Sequence, residues 1–539
     1  MTLSLMSRYA FFVFCILFTL GSLPFITVMW VWPFTLITAL LSMVGIRDIM
    51  QAPHAVRRNY PILGHVRYMV ESIRPEIRQY LIEGDAEQLP FSRSQRSLVY
   101  ARAKNEQSEK AFGTLIDVYE NGFEFMSHSM LPAPMSDPNT FRIDIGGPQC
   151  RQPYSASIFN ISAMSFGSLS ANAIRALNKG AKMGNFAHDT GEGSISIHHR
   201  EFGGDLIWEL GSGYFGCRTA TGAFDPDRFA EQASSPQVRM IEIKLSQGAK
   251  PGHGGILPKE KISIEIAEAR GVSRDHDCVS PSRHSAFSTP TELLHFMDLL
   301  RQRSGGKPVG FKLCLGHPWE FMGIVKAMLV TKIMPDFIVV DGKEGGTGAA
   351  PVEFTDHLGV PMREGLLFIH NTLVGAGLRE HIKLGATGKI VSAFDIARVM
   401  AMGADWANSA RGFMFAIGCI QSQSCHTNKC PTGVATQDPL RQRALVVEDK
   451  GHRVYNFHRN TLHALAEMLA AAGLTHPEQI DARHLVQRMS ASEIQLLSKN
   501  HVFLKKGELL GGQSNTEFYR RMWDMSCADR FDGVPAEQA

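Results

Sequence analysis

Residues 9–46 carry no charged side chain, and Phe, Leu, Ile, Val, Met and Trp dominate the stretch. A single helix of that length, at about 1.5 Å per residue, would far overshoot an apolar bilayer core of about 30 Å. The pattern therefore predicts a transmembrane hairpin over residues 1–50, two short passes joined near Trp30-Val31-Trp32-Pro33, with the tryptophans at an interface. Arg8 before the stretch and Arg47, Arg57 and Arg58 after it then fall on one side, which the positive-inside rule makes the cytoplasm. A cleaved signal peptide fits less well, because the apolar stretch is too long and no small-x-small cleavage site stands out. A buried soluble hairpin is the other alternative. The expectation is an anchor in the cytoplasmic (inner) membrane, with the folded body facing the cytoplasm.

Residues 51–150 are mixed, polar and aromatic, with prolines at 53, 61, 75, 90, 132, 134, 138 and 148. Short amphipathic helices are predicted over 72–82 and 95–105, in a connecting region packed on the main body. From about residue 157 the rhythm alternates. Apolar or β-branched runs at 158–163, 240–245, 309–313, 337–340 and 406–409 read as strands, and 171–183, 291–303 and 394–402 read as helices. Alternating strand and helix over 151–450 argues for an α/β domain with a parallel sheet. Periodicity does not decide between an open sheet and a barrel. Apolar residues at helical spacing predict a helix over 454–472, opening a helical C-terminal extension at 451–539.

Composition adds little to this. The 539 residues include 49 glycines, which suit a fold with many tight loops, and a net charge of +3 does not suggest a nucleic-acid partner. Of nine cysteines, six (Cys15, Cys150, Cys217, Cys278, Cys314, Cys527) are scattered, as expected for unpaired thiols in a reducing compartment.

The other three cysteines are clustered. Cys419, Cys425 and Cys430 have the spacing C-x5-C-x4-C, and Pro431 follows the third. Three thiolates this close can hold one soft metal centre, and a closing Cys-Pro is typical of loops around iron–sulfur clusters. Three ligands suggest a [3Fe-4S] cluster, or a site that borrows a fourth. Zinc on these cysteines plus His426 competes, although the spacing fits no common zinc module. Three plain buried thiols are the third possibility.

That loop, with Cys425-His426-Thr427-Asn428-Lys429-Cys430-Pro431 continuing to Gln437, resembles the FMN-binding domain of glutamate synthase. So do Ala163-Met164-Ser165-Phe166-Gly167-Ser168, Thr190-Gly191-Glu192-Gly193, Gln247-Gly248-Ala249-Lys250-Pro251-Gly252 and Gly345-Gly346-Thr347-Gly348-Ala349-Ala350-Pro351. The matches lie in order across residues 155–450. The resemblance implies a (β/α)8 TIM barrel carrying FMN and a [3Fe-4S] cluster, which reduces 2-iminoglutarate made from 2-oxoglutarate and ammonia.

In such barrels a phosphate sits on loops seven and eight, beside helix N-termini. The corresponding residues here are Gly388, Lys389 and Ser392 in one loop and Ser409, Ala410 and Arg411 in the other. The resemblance places Lys312 near flavin N1 and O2, where a cation stabilises the anionic reduced ring. It lays Ala163, Met164 and Ser165 along the ring, adds Gly345, Gly346 and Thr347, and sets Gln247 at the pyrimidine edge or the substrate. Lys250 and Lys261 become candidates for the two carboxylates of a keto acid, and Glu192 for the imine. Read without the resemblance, Gly388 and Ser392 are loop and N-cap residues, and Lys261 and Glu192 are charged loop residues.

Several positions depart from the family pattern. Thr387 replaces a glycine, Ile390-Val391-Ser392 replaces Lys-Thr-Gly, and His253 replaces a glutamate. Pro281-Ser282-Arg283-His284-Ser285-Ala286 and the loop after Lys312, Cys314-Leu315-Gly316-His317-Pro318-Trp319, also differ. The cofactor half is kept better than the substrate half. Thr2 stands where a glutaminase would carry its cysteine nucleophile, and no Gly-rich dinucleotide fingerprint follows a strand. Ammonia is therefore expected from a separate glutaminase or from solution, and electrons from an external donor protein or membrane carrier. A membrane-linked amino-acid or hydroxy-acid dehydrogenase and a non-catalytic electron-relay subunit are the alternative readings.

Overall fold

The computed structural model describes residues 3–84, 87, 90–106, 108–109, 111–511 and 516–533; Thr2 lies outside them. The chain divides into two compact units, Met1–Glu87 and Gln88–Ala539. Residues 51–87 therefore fold with the apolar pair, and 88–150 fold with the main body.

In the first unit, α1 (Leu3–Ser22) and α2 (Trp32–Met50) are joined by a turn at Leu23–Phe25. Pro33 sits in the first turn of α2, where its missing N–H costs nothing. Hydroxyls hold the two helices together: Thr19 Oγ1 donates to Thr38 Oγ1 at 2.9 Å, and Thr35 Oγ1 to Ser22 Oγ at 2.7 Å. A Cβ on Gly45 would run into the Phe12 ring, so the helices touch closely there. Their outer surfaces expose Phe14, Leu17, Leu20, Leu36 and Leu40, and both helices are long and apolar enough to cross a membrane. After a short turn of helix at Ala55–Asn59 comes α3 (Gly64–Ile77), extended by a wide turn at Arg78–Ile82. The amphipathic helix expected at 72–82 thus starts earlier, at Gly64.

The second unit opens with α4 (Arg93–Lys104), capped by the reciprocal Ser92 and Gln95 bonds. Eight parallel strands then close into a barrel: β1 (Phe159–Ile161), β2 (His188–Asp189), β3 (Leu206–Leu210), β4 (Val238–Lys244), β5 (Val309–Leu313), β6 (Phe337–Asp341), β7 (Lys383–Thr387) and β8 (Trp406–Ser409). β8 pairs with β1, and β4 with β5, so no strand edge is left open. Every residue of β3 and β5 is buried, as strands covered by helices outside and by barrel filling inside must be. The sheath includes α5 (Ala171–Gly184), α6 (Pro226–Ala233), α7 (Pro290–Arg303), α8 (Pro318–Thr331), α9 (Met362–Gly375) and α10 (Ala393–Ala401). The short α11 (Arg411–Ala416) follows β8. The (β/α)8 expectation holds.

Beyond the barrel, α12 (Val447–Ala471) lies against α5, with Val454 filling the space a Cβ on Gly180 would need. The extension is not all helix. Strands Leu485–Arg488 and Ile494–Leu496 join Glu124–Met126 in a small antiparallel sheet, before a last helix at Glu517–Met525.

Candidate functional site

A cavity of about 410 Å³ opens at one end of the barrel. Its wall takes Ser162 just past β1, Gly191 past β2, and Glu209, Lys244, Lys312, Asp341, Thr387 and Ser409 from the last turns of β3 to β8. These are the C-terminal ends of the strands, the face where such barrels gather their chemistry.

Loops seven and eight form one end of the cavity. Thr387, Gly388, Lys389 and Ile390 meet Ser409, Ala410, Arg411 and Gly412, and Ser409 Oγ donates to the Ile390 carbonyl at 2.5 Å. Gly388 holds φ of 150° and Lys389 holds 52°, so the loop turns through two positive-φ residues where it lines the cavity. The Arg411 guanidinium is buried against the Phe91 ring, 4.7 Å from its centre, and donates to the Glu344 carbonyl at 2.6 Å. Burial brings its pKa down to about 10, and burial followed by the field of Arg411 lowers that of Lys389. Two desolvated cations facing one space are the natural complement of a phosphate. Gly345, Gly346 and Thr347 line the same wall, and a Cβ on Gly346 would strike the Arg411 side chain. Ser392 does not line the cavity. Its hydroxyl accepts from the Asp395 amide at 3.1 Å and donates to the Asp395 carboxylate at 2.8 Å, a capping box that opens α10. The N-cap reading of Ser392 is the one observed.

Lys312 reaches the cavity, but its ammonium is not free. It is ion-paired with Glu209 and lies 3.6 Å from Glu242. Glu209 and Glu242 stand directly opposite each other on β3 and β4, with Asp189 close by, all of them sealed from solvent. Burial pushes the Glu242 carboxyl well up, helped by Asp189, and carries Asp189 to about 7 and Asp341 to about 6. Burial opposes the charge on Lys312, yet Glu209, Glu242, Asp189 and Asp341 together hold it firmly protonated. The cation that the flavin reading requires at this position is therefore largely spent on carboxylates.

The cavity wall also carries Ala163, Met164, Ser165, Glu192, Lys244, Gln247, Lys250 and Arg270. Lys244 Nζ bridges Glu192 Oε1 at 3.0 Å and Gln247 Oε1 at 2.5 Å. Burial alone would raise the Glu192 carboxyl, but Lys244, Lys250 and Arg270 keep it below its ordinary range, so it is a carboxylate. Lys250 is lowered mainly by burial. Lys261 is not in this group. It is buried elsewhere and donates to the Cys425 carbonyl at 3.0 Å, which makes it a support of the cysteine loop rather than a wall of the cavity.

Cys419, Cys425 and Cys430 line the same cavity, and all nine cysteines are free thiols. Burial pushes Cys419 up to about 12 and raises Cys425. Cys430 is also penalised by burial, but hydrogen bonds from Ala435, Thr432 and Val434 bring it below its ordinary value. Among the described residues, the only three carboxylate, thiol or imidazole ligand atoms mutually within 4.8 Å belong to Asp189, Glu209 and Glu242. The three sulfurs and His426 do not form such a group in this structure.

The family model described as a conserved region in glutamate synthase matches residues 143–475, which include all eight barrel strands and the three clustered cysteines. The chain belongs to the glutamate synthase family. It is 37% identical over 495 residues to the glutamate synthase large subunit-like protein YerD of Bacillus subtilis, covering 84% of this chain and 94% of that one. An archaeal-type glutamate synthase (NADPH) from Thermotoga neapolitana is 32% identical over 320 residues, 59% of this chain and 60% of the relative. The archaeal glutamate synthase (NADPH) of Methanocaldococcus jannaschii is 33% identical over 323 residues, again 59% and 60%. The protein is thus a glutamate synthase-class oxidoreductase built on an FMN barrel. Its cavity suits that cofactor: two half-buried cations, Lys389 and Arg411, and two tight loops for a phosphate, and the strand ends for a ring.

The sequence reading overlooked Glu209, Lys244, Asp341 and Arg270. For the first three a signal was present, a charge at or next to the end of an apolar run, as in Ile243-Lys244, Trp208-Glu209-Leu210 and Val340-Asp341. Arg270 comes from a helix between strands, and no local pattern marks it.

Proposed function

We propose that this chain reduces 2-iminoglutarate, formed from 2-oxoglutarate and ammonia, to glutamate, with electrons delivered by an external donor through a [3Fe-4S] cluster on Cys419, Cys425 and Cys430. The observation that supports this is one cavity whose wall holds the loops after β7 and β8, the cations Lys244, Lys250 and Arg270, and all three clustered thiols. When bound, FMN supplies a two-electron reduction of a carbon–nitrogen double bond and the cluster supplies single electrons. Lys389 and Arg411 would hold the phosphate, and the backbone from Ala163 to Ser165 and at Gly345 and Gly346 would border the ring. Lys250 and Arg270 are the cations for the two substrate carboxylates. Glu192, kept ionised beside Lys244, accepts an N–H of the iminium and holds its nitrogen in place. The C-x5-C-x4-C spacing closed by Pro431 and the hydrogen bonds around Cys430 support an iron–sulfur cluster at this loop. In the same reading α1 and α2 anchor the protein in the cytoplasmic membrane, with Arg8, Arg47, Arg57 and Arg58 on the inner side.

The test uses anaerobically purified protein reduced with dithionite. Reoxidation of the flavin absorbance on adding 2-oxoglutarate with ammonium, with glutamate as product, is the expected result. Flavin reduction by an amino or 2-hydroxy acid, with no glutamate formed, would replace this reading with the dehydrogenase; the altered loop at His253 and Pro281–Ala286 gives that alternative its footing.

A further inference from the structure

We infer that α3 lies in the lipid headgroup layer of the bilayer that α1 and α2 enter, with its apolar face down, making a third membrane contact; this rests on reading α1 and α2 as a bilayer hairpin. On a helical repeat of 3.6 residues, Val66, Met69, Val70 and Ile73 fall on one stripe. A soluble helix turns such a stripe inward, but here these four side chains are 44–58% exposed. The stripe continues into the wide turn, where Leu81 and Ile82 are also exposed. The other side of the helix is polar: Arg67 pairs with Glu71 at 2.9 Å, and Arg78 pairs with Glu87. An uncovered apolar stripe opposite an arginine-bearing face is the pattern of a helix lying in an interface, and the arginines suit anionic headgroups.

Depth follows from how α3 is tied down. Asp48, in the last turn of α2, is only 3% exposed, accepts from the Ile62 amide at 3.0 Å and meets His65 Nε2 at 2.8 Å. The start of α3 is thus fixed to the C-terminal end of α2. A spanning α2 of 19 residues is about 28 Å long, so its end sits at the edge of the apolar layer, the level an interfacial helix occupies.

The full chain is placed in nanodiscs of phosphatidylethanolamine and phosphatidylglycerol containing a phospholipid with a diazirine in the upper acyl chain, and adducts are mapped by mass spectrometry. Adducts on peptides of α1, α2 and α3 are expected. Met69→Asp with Ile73→Asp should remove the α3 adducts and leave those on α1 and α2, whereas Glu71→Gln should leave all three. Labelling of α1 and α2 without α3 overturns the inference, as does chemical cross-linking of α3 to a second copy or to residues 88–533. Absence of adducts from the hairpin as well would mean that the hairpin reading has failed, and the inference with it.

Discussion

Lys312→Met tests the charge arithmetic inside the barrel. The methionine keeps most of the bulk but removes the one cation that, among the described residues, is ion-paired with Glu209 and Glu242. Removing one member of a buried ion pair typically costs about 3–5 kcal/mol, because the remaining charge stays desolvated and uncompensated. The carboxylates can escape that cost by binding a proton, so the loss depends on pH. Asp189 already titrates at about 7 in the folded protein, against about 3.9 when unfolded, and Glu242 is raised as well. For a carboxyl raised on folding, stability is fully present below the unfolded pKa and is lost as pH rises through the folded pKa. Without Lys312 these folded values rise further, so the deficit of the variant should be largest near about pH 8 and shrink towards about pH 5. Differential scanning fluorimetry of wild type, Lys312→Met and Lys312→Met/Glu209→Gln at several pH values provides the readout. The single variant should unfold several degrees lower at the alkaline end, at roughly 2 °C or less per kcal/mol for a unit this large. The double variant, which deletes a charge of each sign, should recover much of the loss. A pH-independent deficit, or a double variant no better than the single, would refute the buried-charge argument.

Cys425→Ser should cost the protein its iron, which in wild type should amount to about three atoms per chain on a [3Fe-4S] reading; zinc in the wild type, or unchanged iron in the variant, would count against the cluster. Arg411→Ala should weaken FMN binding about 10- to 100-fold, as expected for losing one charge-assisted hydrogen bond of about 1.5–3 kcal/mol, measured by quenching of flavin fluorescence. Ser392→Ala should lower stability by about 1 kcal/mol through loss of its cap and leave FMN affinity unchanged; a drop in affinity would return Ser392 to the phosphate site. Deleting residues 1–87, the whole first unit, should release the barrel to the soluble fraction with FMN still bound; retention on membranes after a high-salt wash would contradict the anchor.

Local chemistry in the sequence determined a good deal here. The uncharged stretch at 9–46 marked the two apolar helices, because a run this long with no charge and a break at Trp30–Pro33 reads as two helices rather than one. The strand β5 and the starts of α5 and α10 follow from an apolar run and from N-caps at Ser170 and Ser392, signals read within a few residues. The cysteine loop and the ordered Gly-rich segments marked the cofactor end, since a tight loop needs its glycines wherever it lies. Other features required the closed barrel. Two-residue β2 has no pattern of its own and exists because β1 and β3 flank it. Glu209, Glu242 and Lys312 become one buried charge group only when β3, β4 and β5 come into register, and that contact decides how much positive charge remains for the flavin. Lys250 and Lys261 look alike in the sequence, yet one faces the cavity and the other holds the Cys425 carbonyl. Neighbours along the chain set helices, caps and turns, whereas the effective charge of a buried group depends on residues far away in sequence that only folding brings within a few ångströms.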